Sequence, residues 1–328
     1  MENIKQLRNI FLIFCLLSVV SYISYIYSQH IGINARQNEA AHRLEVFSGA
    51  LFTPMDKYDY LPEITSNHSF VIDALKHLKD SARVQKLNVY LEHLNEKAKS
   101  EAIYVLDANG LTIASSNWRE PLSFVGQNYF FRPYFQDAIK GKQGRCYGLG
   151  TVSLLPGYYL SHHVKSNGRI LGIVVIKVDL GELDASWDVD KDIMVVTDEN
   201  GIIFLSSRKD WKYRALGALD AKTIEQLEKT QQYGSPLKTP IHLEHETNLD
   251  DGNRIVRIRE SDNGAITKEK RYFVKSSVLQ NSKWVISIFS PLSETDTRSR
   301  QTAFAALATV IFLILLFMYF QQARRRRR

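Results

Sequence analysis

Two stretches of the chain, one near each end, are continuously apolar. Between Asn9 and Gln29 there are 21 residues, and between Gln301 and Ala323 there are 23, without Asp, Glu, Lys or Arg. Each stretch is long enough to cross a bilayer as a helix. The first lacks a convincing cleavage site at its end, so we expect an uncleaved anchor and not a signal peptide. The chain is therefore predicted to have transmembrane helices at 9–29 and 301–323.

The residues after the first span continue in a helical pattern. Positions in one stripe recur at alternating steps of four and three: Ile33, Gln37, Ala40, Leu44, Phe47 and Leu51. The stripe fits a helix that packs on its own domain and a parallel dimer seam equally well. Helical periodicity also predicts helices over roughly 62–80 and 82–98. Residues 30–98 are thus interpreted as a helical scaffold with a possible dimer seam.

Beyond residue 100 the period changes to that of strands, and an internal repeat appears. Residues 105–116 and 196–207 lie 91 positions apart and match at six of twelve positions. In each copy apolar residues flank Asn-Gly, which suits a tight hairpin turn because it tolerates positive φ. The repeat predicts two similar modules in tandem, at 99–187 and 188–292.

Each module is expected to mix helices with short strands. In the first we expect a helix at 132–140, turns at Pro156-Gly157 and Asn167-Gly168, and strands near 145–153, 157–165 and 169–179. In the second we expect a helix near 220–231 and strands near 253–260, 270–278 and 284–289. Short connections favour antiparallel sheets with helices on one side. The predicted fold class is α+β, with a connecting helix at 293–300 that leads into the second span.

The positive charge of the chain is concentrated at its two ends. There are 42 Lys+Arg and 35 Asp+Glu, but seven of the bases and Glu2 lie in the tails 1–8 and 324–328, which leaves 35 bases against 34 acids. A nearly neutral body gives no electrostatic reason to bind nucleic acid. The positive-inside rule places both tails in the cytoplasm, so residues 30–300 lie outside the membrane. That part contains one cysteine, Cys146, and therefore no intramolecular disulfide.

Lys177 interrupts the most apolar run of the first module. Residues 173–178 are otherwise Ile and Val, which is typical of a strand buried on both faces. A buried ammonium needs an anion, water or a route to the surface. Lys177 therefore either pairs with a structural carboxylate, such as Asp179, or belongs to a binding site.

Arg132 offers a second cation in the same module. Alone, it fits a residue that caps a helix or pairs with Asp137. A small dianion, however, needs one cation for each carboxylate and hydroxyl donors around them, and an Arg fork with a Lys point charge would meet that need. The hydroxyl donors available near these cations in the sequence are Tyr129, Thr151 and Ser153.

These motifs resemble the extracytoplasmic sensor region of the C4-dicarboxylate transport sensor histidine kinases, which is built from tandem PAS-like (double Cache) modules. The resemblance covers essentially residues 1–328 and is most specific at 129–135, 150–159 and 175–178. It implies that 99–187 is the membrane-distal module and binds succinate, fumarate or malate, and that 188–292 is membrane-proximal. The residues it implies for the ligand pocket are Tyr129, Arg132, Thr151 and Lys177, with Ser153 and Tyr159 lining the same pocket.

The resemblance also implies a cellular setting. It places the chain in the bacterial inner (cell) membrane, multi-pass, with residues 30–300 periplasmic or extracellular. The implied partners are a small dicarboxylate, the lipid bilayer, a second copy in a homodimer, a dicarboxylate transporter, and a cytoplasmic kinase or response regulator. The alternative is a chemoreceptor-type or cyclase-type double Cache receptor for another small anion or an amino acid.

No catalytic group, metal or cofactor is predicted. No nucleophile-elbow motif is present, and the paired histidines lack a grouped third ligand. Sensor kinases of the family continue past the second span, whereas five arginines follow it here. We therefore expect the chain to hold the input region without a kinase domain.

Overall fold

The computed structural model describes residues 2–180, 191–234, 238–249, 252–262, 265–279 and 282–326. The helices are α1 Glu2–Asp59, α2 Leu61–Ser66, α3 Ser69–Lys76, α4 Ser81–Ala98, α5 Pro133–Ala138, α6 Ala221–Thr230 and α7 Ser293–Arg326, with a 3-10 turn at Lys209–Trp211. The strands are β1 Ala102–Asp107, β2 Thr112–Ser115, β3 Gly144–Leu149, β4 Pro156–Ser166, β5 Arg169–Val178, β6 Ile193–Thr197, β7 Ile203–Ser206, β8 Leu243–Asn248, β9 Arg254–Asp262, β10 Ala265–Val278 and β11 Val285–Pro291. The predicted α+β class, with a long N-terminal helix and antiparallel sheets, is confirmed.

The strands form two sheets that share a strand order. The first sheet runs β2-β1-β5-β4-β3, and the second runs β7-β6-β11-β10-β9-β8. In order, β7, β6, β11, β10 and β9 of the second sheet correspond to β2, β1, β5, β4 and β3 of the first. The second sheet has one additional strand, β8, at its edge. The sequence repeat therefore extends to topology. The boundary predicted between the two modules, at 187, lies outside the described residues.

The repeated Asn-Gly segments close the two hairpins as the sequence predicts. Gly110 has φ +84° and Gly201 has φ +76°, in the left-handed region that favours glycine. Ahead of each turn an aspartate organises the backbone: the Oδ1 atom of Asp107 accepts from the N–H groups of Asn109 (2.8 Å) and Leu111 (2.9 Å). Asp198 repeats this arrangement in the second copy. Both aspartates thus have a structural role.

The chain divides into two compact units, one of residues 1–44, 243–276 and 288–328, and one of residues 45–242 and 277–287. In the first unit α1 and α7 are in contact, with Ser28 Oγ 3.4 Å from Thr302 Oγ1 and Gln29 Nε2 donating to Asp296 at 2.7 Å. Gly32 allows the two helices to lie this close. Any other residue at this position would have a Cβ 2.4 Å from Thr295 Cγ2, which is a steric clash. Both helices carry stretches long and apolar enough to cross a membrane.

Three details differ from the sequence predictions. The helix expected over 62–80 is divided into α2 and α3, because His68 adopts an extended conformation and its Nδ1 accepts from the N–H of Phe70 as a cap. Pro156 and Gly157 begin β4 and are not a turn. The edge strand β8, with the sequence LEHETN, was not predicted because polar residues fill it.

The predicted stripe on α1 is partly buried within a single chain. Ala40, Leu44 and Leu51 are buried, whereas Ile33, Gln37 and Phe47 are half-buried. Packing on the same chain therefore accounts for half of the stripe, and the dimer seam stays a prediction.

Candidate functional site

Lys177 lies in the centre of the first sheet, with its side chain 0% exposed. On β5 it is paired with Tyr159 of β4 and with Ala102 of β1, and Tyr159 is paired in turn with Cys146 of β3. Residues aligned across antiparallel strands share a face, so this row points to one side of the sheet. That side holds the aromatic core of the module.

The Lys177 ammonium has two protein partners. Its Nζ donates to Ser153 Oγ at 3.0 Å and to the carboxylate of Glu101, with which it forms an ion pair. It also lies 6.0 Å from the ring centroid of Phe124 and 5.9 Å from that of Tyr159. The structure thus assigns the carboxylate partner of Lys177 to Glu101.

Glu101 sits between α4 and the first residue of β1. Its backbone N–H donates to the carbonyl of Lys177 at 2.9 Å, which fixes the two residues side by side. The side chain is 24% exposed, and its Oε2 atom is buried without a hydrogen-bond partner among the described residues. Burial raises the pKa of Glu101 more than the hydrogen bond and charge of Lys177 lower it.

Arg132 occupies the N-cap position of α5, directly before Pro133, and is 2% exposed. Its guanidinium donates to backbone carbonyls: to Leu149, to Gln231 at 3.0 Å and to Thr230 at 3.5 Å. Thr230 and Gln231 end α6, where the helix dipole is negative. Arg132 therefore joins the end of β3 to the end of α6.

A small cavity separates the loop after β3 from the aromatic core. It is lined by Tyr104, Phe124, Tyr129, Arg132, Tyr134, Gly150, Thr151, Val152 and Tyr159. Its volume of about 10 Å³ is close to the space one water needs. The Tyr104 and Tyr134 hydroxyls are hydrogen-bonded at 2.9 Å, and the Tyr134 and Tyr159 rings stack at 5.0 Å. The cavity is thus tight, aromatic and rich in hydroxyl groups.

The cavity tyrosines are hydroxyl donors. Burial raises the pKa of Tyr129, an effect that a hydrogen bond with Thr151 and the charge of Arg132 oppose. Burial likewise raises the pKa of Tyr159, again opposed by Arg132. The neighbouring thiol of Cys146 has its pKa raised by burial to about 12. The raised pKa values keep these hydroxyl and thiol groups protonated at neutral pH.

Three glycines let the chain pass close to both cations. A Cβ on Gly148 would lie 3.5 Å from Arg132 Nη1, and one on Gly150 would lie 3.4 Å from Lys177 Nζ. Two residues span at most about 7 Å, so both cations flank the same short segment. On β4, a Cβ on Gly157 would lie 2.5 Å from Lys177 Cε. This close approach explains the glycines at 148 and 150.

The structure brings the six predicted site residues into one neighbourhood. Tyr129, Arg132, Thr151 and Tyr159 line the cavity, and Ser153 bonds the adjacent Lys177. The site residues that sequence reasoning missed are Glu101, Tyr104, Phe124 and Tyr134. Tyr134 lies inside the 129–135 motif, which is the local signal that indicates it. Glu101 carries no local signal, since its contact with Lys177 depends on the pairing of β1 with β5.

A larger cavity of about 430 Å³ lies elsewhere in the same unit. The two basic groups at its wall are already matched within the protein, since Arg145 pairs with Asp59 and Lys283 with Glu199. We therefore place the candidate site at the aromatic cavity, which has two almost fully buried cations, Arg132 in its wall and Lys177 next to it.

Comparison with known proteins places this geometry in a family. The sequence matches the family Cache domain (dCache_1) over residues 33–299. The chain belongs to the Cache domain family. It is 28% identical over 299 residues to the C4-dicarboxylate transport sensor protein DctB of Pseudomonas aeruginosa, a match of 91% of this chain and 44% of that protein. The DctB protein of Rhizobium meliloti is 27% identical over 72% of this Cache chain, which covers 38% of that protein. The chain thus spans less than half the length of these curated relatives.

Two solved structures are also similar to this chain. The sensor domain of the V. cholerae histidine kinase DctB is 30% identical, with a TM-score of 0.68 over 79% of this chain and 96% of that domain. The ligand-binding domain of Mlp24 with asparagine is 13% identical, with a TM-score of 0.53 over 83% of this chain and 98% of that domain, and shows the shared fold alone. The resemblance to DctB predicted from the sequence motifs is confirmed: the chain is a DctB-like Cache sensor.

Proposed function

We propose that this chain is the sensor region of a two-component receptor that binds a small C4-dicarboxylate, such as succinate, fumarate or malate, outside the membrane. One observation carries the proposal: two almost fully buried cations, Arg132 and Lys177, flank the same three-residue segment beside a cavity lined with tyrosine hydroxyls. A short diacid needs two positive groups at a fixed separation and hydroxyl donors around them. The likeness to the DctB sensors supplies the identity of the diacid.

Ligand entry requires the loop at 150–155 to move. The present cavity holds about one water, which is far less than a four-carbon diacid occupies. The loop is closed by short backbone hydrogen bonds between Gly150 and Leu155 (2.9 Å) and between Leu154 and Gly150 (3.0 Å). Leu154 lies at its tip, 76% exposed and with φ +53°. In this proposal the loop carries Thr151 and Ser153 onto the ligand as it closes.

The domain layout proposed from sequence gives the signal a route. Residues 99–187 form the membrane-distal PAS-like module and 188–292 the proximal one, an arrangement supported by the shared strand order of the two sheets. Helices α1 and α7 then cross the inner membrane with both tails in the cytoplasm, as a homodimer that contacts a kinase, a response regulator or a dicarboxylate transporter. Because a ligand shifts an equilibrium only by its differential affinity, closure on Arg132 and Lys177 is the step that biases the signalling conformation.

Calorimetric titration of the full chain in lipid nanodiscs with succinate tests this proposal. We expect saturable binding that Lys177→Met and Arg132→Lys each weaken by about 2 kcal/mol, because the first removes a charge and the second removes the planar fork. Arg145→Lys is the matched control, since Arg145 pairs with Asp59 away from the cavity. Binding that Lys177→Met and Arg132→Lys leave intact would refute the site.

A second candidate function is favoured by Glu101. An amino-acid receptor needs an acidic group for the ligand ammonium, and the Glu101 carboxylate pairs with Lys177, whose Nζ lies 5.9 Å from the ring of the cavity residue Tyr159. The same titration with asparagine in place of succinate separates the two candidates. Binding of asparagine without binding of succinate would establish an amino-acid receptor.

A further inference from the structure

Glu101 is an acid that the fold places where a ligand carboxylate would be expected. Its carboxylate accepts from the Lys177 ammonium, and the same ammonium donates to Ser153. A glutamate side chain ends in the same chemical group as a short diacid. The Lys177 ammonium and the Ser153 hydroxyl therefore form a binding site for one carboxylate group, and the Glu101 carboxylate occupies it.

We infer that Glu101 is a built-in competitor of the ligand, which holds Lys177 until an incoming carboxylate displaces it from the ammonium. This inference rests on the proposed function. Glu101 thereby lowers the affinity of the site for every ligand that uses Lys177. No other residue needs to be assigned a new role.

The hydrogen bonding of the Glu101 carboxylate is that of a side chain that a ligand can displace from Lys177. One carboxylate oxygen is paired, but the other, Oε2, is buried with no hydrogen-bond partner among the residues described. An unsatisfied buried oxygen is costly, so the closed arrangement is less stable than a fully bonded ion pair would be. The side chain is also 24% exposed, whereas that of Lys177 is 0% exposed. Glu101 can therefore reach water while Lys177 stays inside.

Competition within one chain makes a ligand bind less tightly than its contacts alone would allow. A tethered carboxylate acts at a high effective concentration, so an incoming carboxylate must outcompete it. A monocarboxylate gains only the contacts at Lys177 and merely exchanges one carboxylate for another. A diacid gains the Arg132 end as well, and this second contact offsets the cost of displacing Glu101, so that a diacid binds where a monoacid binds weakly.

Displacement of Glu101 also has a path toward the long helix. Glu101 follows the turn at Ala98 and Lys99, where α4 ends with Lys99 at φ +58°. The Tyr58 hydroxyl near the end of α1 donates to the carbonyls of Ala98 (3.2 Å) and Lys99 (2.9 Å). A shift of Glu101 therefore acts on a segment that α1 holds directly.

Succinate titration of the full chain in nanodiscs, comparing wild type with Glu101→Gln, tests the inference. Glutamine keeps the shape and removes the charge, so we expect succinate to bind at least about tenfold more tightly. Butyrate, a monocarboxylate of the same length, should gain by about the same factor, because both ligands must displace Glu101 from Lys177. Glu92→Gln is the matched control, because Glu92 pairs with the exposed Arg119 and should leave both affinities unchanged. In a Lys177→Met background, Glu101→Gln should have no effect, because there is no ammonium to release.

The outcomes separate this inference from the proposed function. If the wild type binds succinate and Glu101→Gln binds it equally or more weakly, Glu101 is not a competitor of the ligand. The proposed dicarboxylate site would then still stand. Absence of succinate binding in both proteins overturns both. Should Glu101→Gln fail to fold, Glu101→Asp keeps the charge but withdraws the carboxylate by one methylene, and it should bind succinate more tightly than wild type. Equal or weaker binding by Glu101→Asp would overturn the competitor in that case.

Discussion

The guanidinium of Arg132 lies 3.0 Å from the carbonyl oxygen of Gln231, which is 99 residues further along the chain. Gln231 caps α6 with φ +49°, and its carbonyl belongs to the negative end of that helix. The same guanidinium donates to Leu149 at the start of the cavity loop. A ligand carboxylate that binds Arg132 would thus compete with backbone carbonyls for the guanidinium. A carboxylate that binds Lys177 would likewise compete with Glu101.

Arg132 should stabilise the fold independently of any ligand. Arg132→Gln should lower the free energy of unfolding by at least about 2 kcal/mol, because it leaves buried carbonyls short of donors. Chemical denaturation of the detergent-solubilised chain measures this. Arg145→Gln is the control, since its partly exposed ion pair with Asp59 should contribute only about 0–1 kcal/mol. Equal losses in the two variants would contradict the role assigned to Arg132.

Gly157 should be essential because the stem of Lys177 lies over it. In Gly157→Ala the new Cβ would lie 2.5 Å from Lys177 Cε and 3.0 Å from its Cγ, within the buried sheet. We expect a loss of about 1–3 kcal/mol of stability and a loss of succinate binding as Lys177 is displaced. Gly217→Ala is the control, since no atom lies within 4 Å of a Cβ there. Thermal unfolding measures the stability, and titration measures the succinate affinity. A Gly157→Ala variant that changes neither would show that the Lys177 side chain does not lie over Gly157.

The features that the sequence predicted well are local ones. The hairpins at Gly110 and Gly201 follow from Asn-Gly between apolar residues, and α5 begins at the Arg132-Pro133 pair, where proline suits the first helical position. The neighbourhood of Lys177 was foreseen from a charge within an apolar run. Its partner was not, because Glu101 lies 76 residues away and meets it only through strand pairing. Arg132 was assigned to a binding site, but its backbone partners at α6 depend on tertiary packing that no local pattern reveals.

The advantage of the Glu101→Gln variant should depend on pH. The groups around the Glu101 carboxylate are Lys177 and Asp179 on or beside β5, Ser153 on the loop and Tyr159 on β4. Burial raises the pKa of Glu101, so the ionised competitor is present above that pKa and disappears as the pH falls through it. The ratio of wild-type to variant dissociation constants for succinate should therefore approach one as the pH is lowered through the raised pKa of Glu101.

Protonation of succinate itself affects both proteins equally and cancels in this ratio. Calorimetric titration at each pH gives the two constants. A ratio that stays constant, or that grows as the pH falls, would contradict competition by the ionised Glu101 side chain. The raised pKa also means that protonated Glu101 favours folding, a contribution present below the pKa of the unfolded chain and lost as the pH rises through the folded value.

Tyr58 should carry the movement of the 98–101 segment to α1. Tyr58→Phe removes the hydroxyl that donates to Ala98 and Lys99, at a stability cost of about 0.5–1.5 kcal/mol. Hydrogen exchange over residues 45–60 should change on addition of succinate in wild type and change little in Tyr58→Phe, while the succinate affinity stays within about threefold. An unaltered exchange response in the variant would place the connection to α1 elsewhere.

The most direct test of the account is an experimental structure of the chain with succinate bound. We predict one carboxylate within hydrogen-bonding distance of Lys177 Nζ, the other on the guanidinium of Arg132, and the Glu101 side chain withdrawn from Lys177. Succinate bound at any other place, or Lys177 still paired with Glu101 beside a bound diacid, would contradict it.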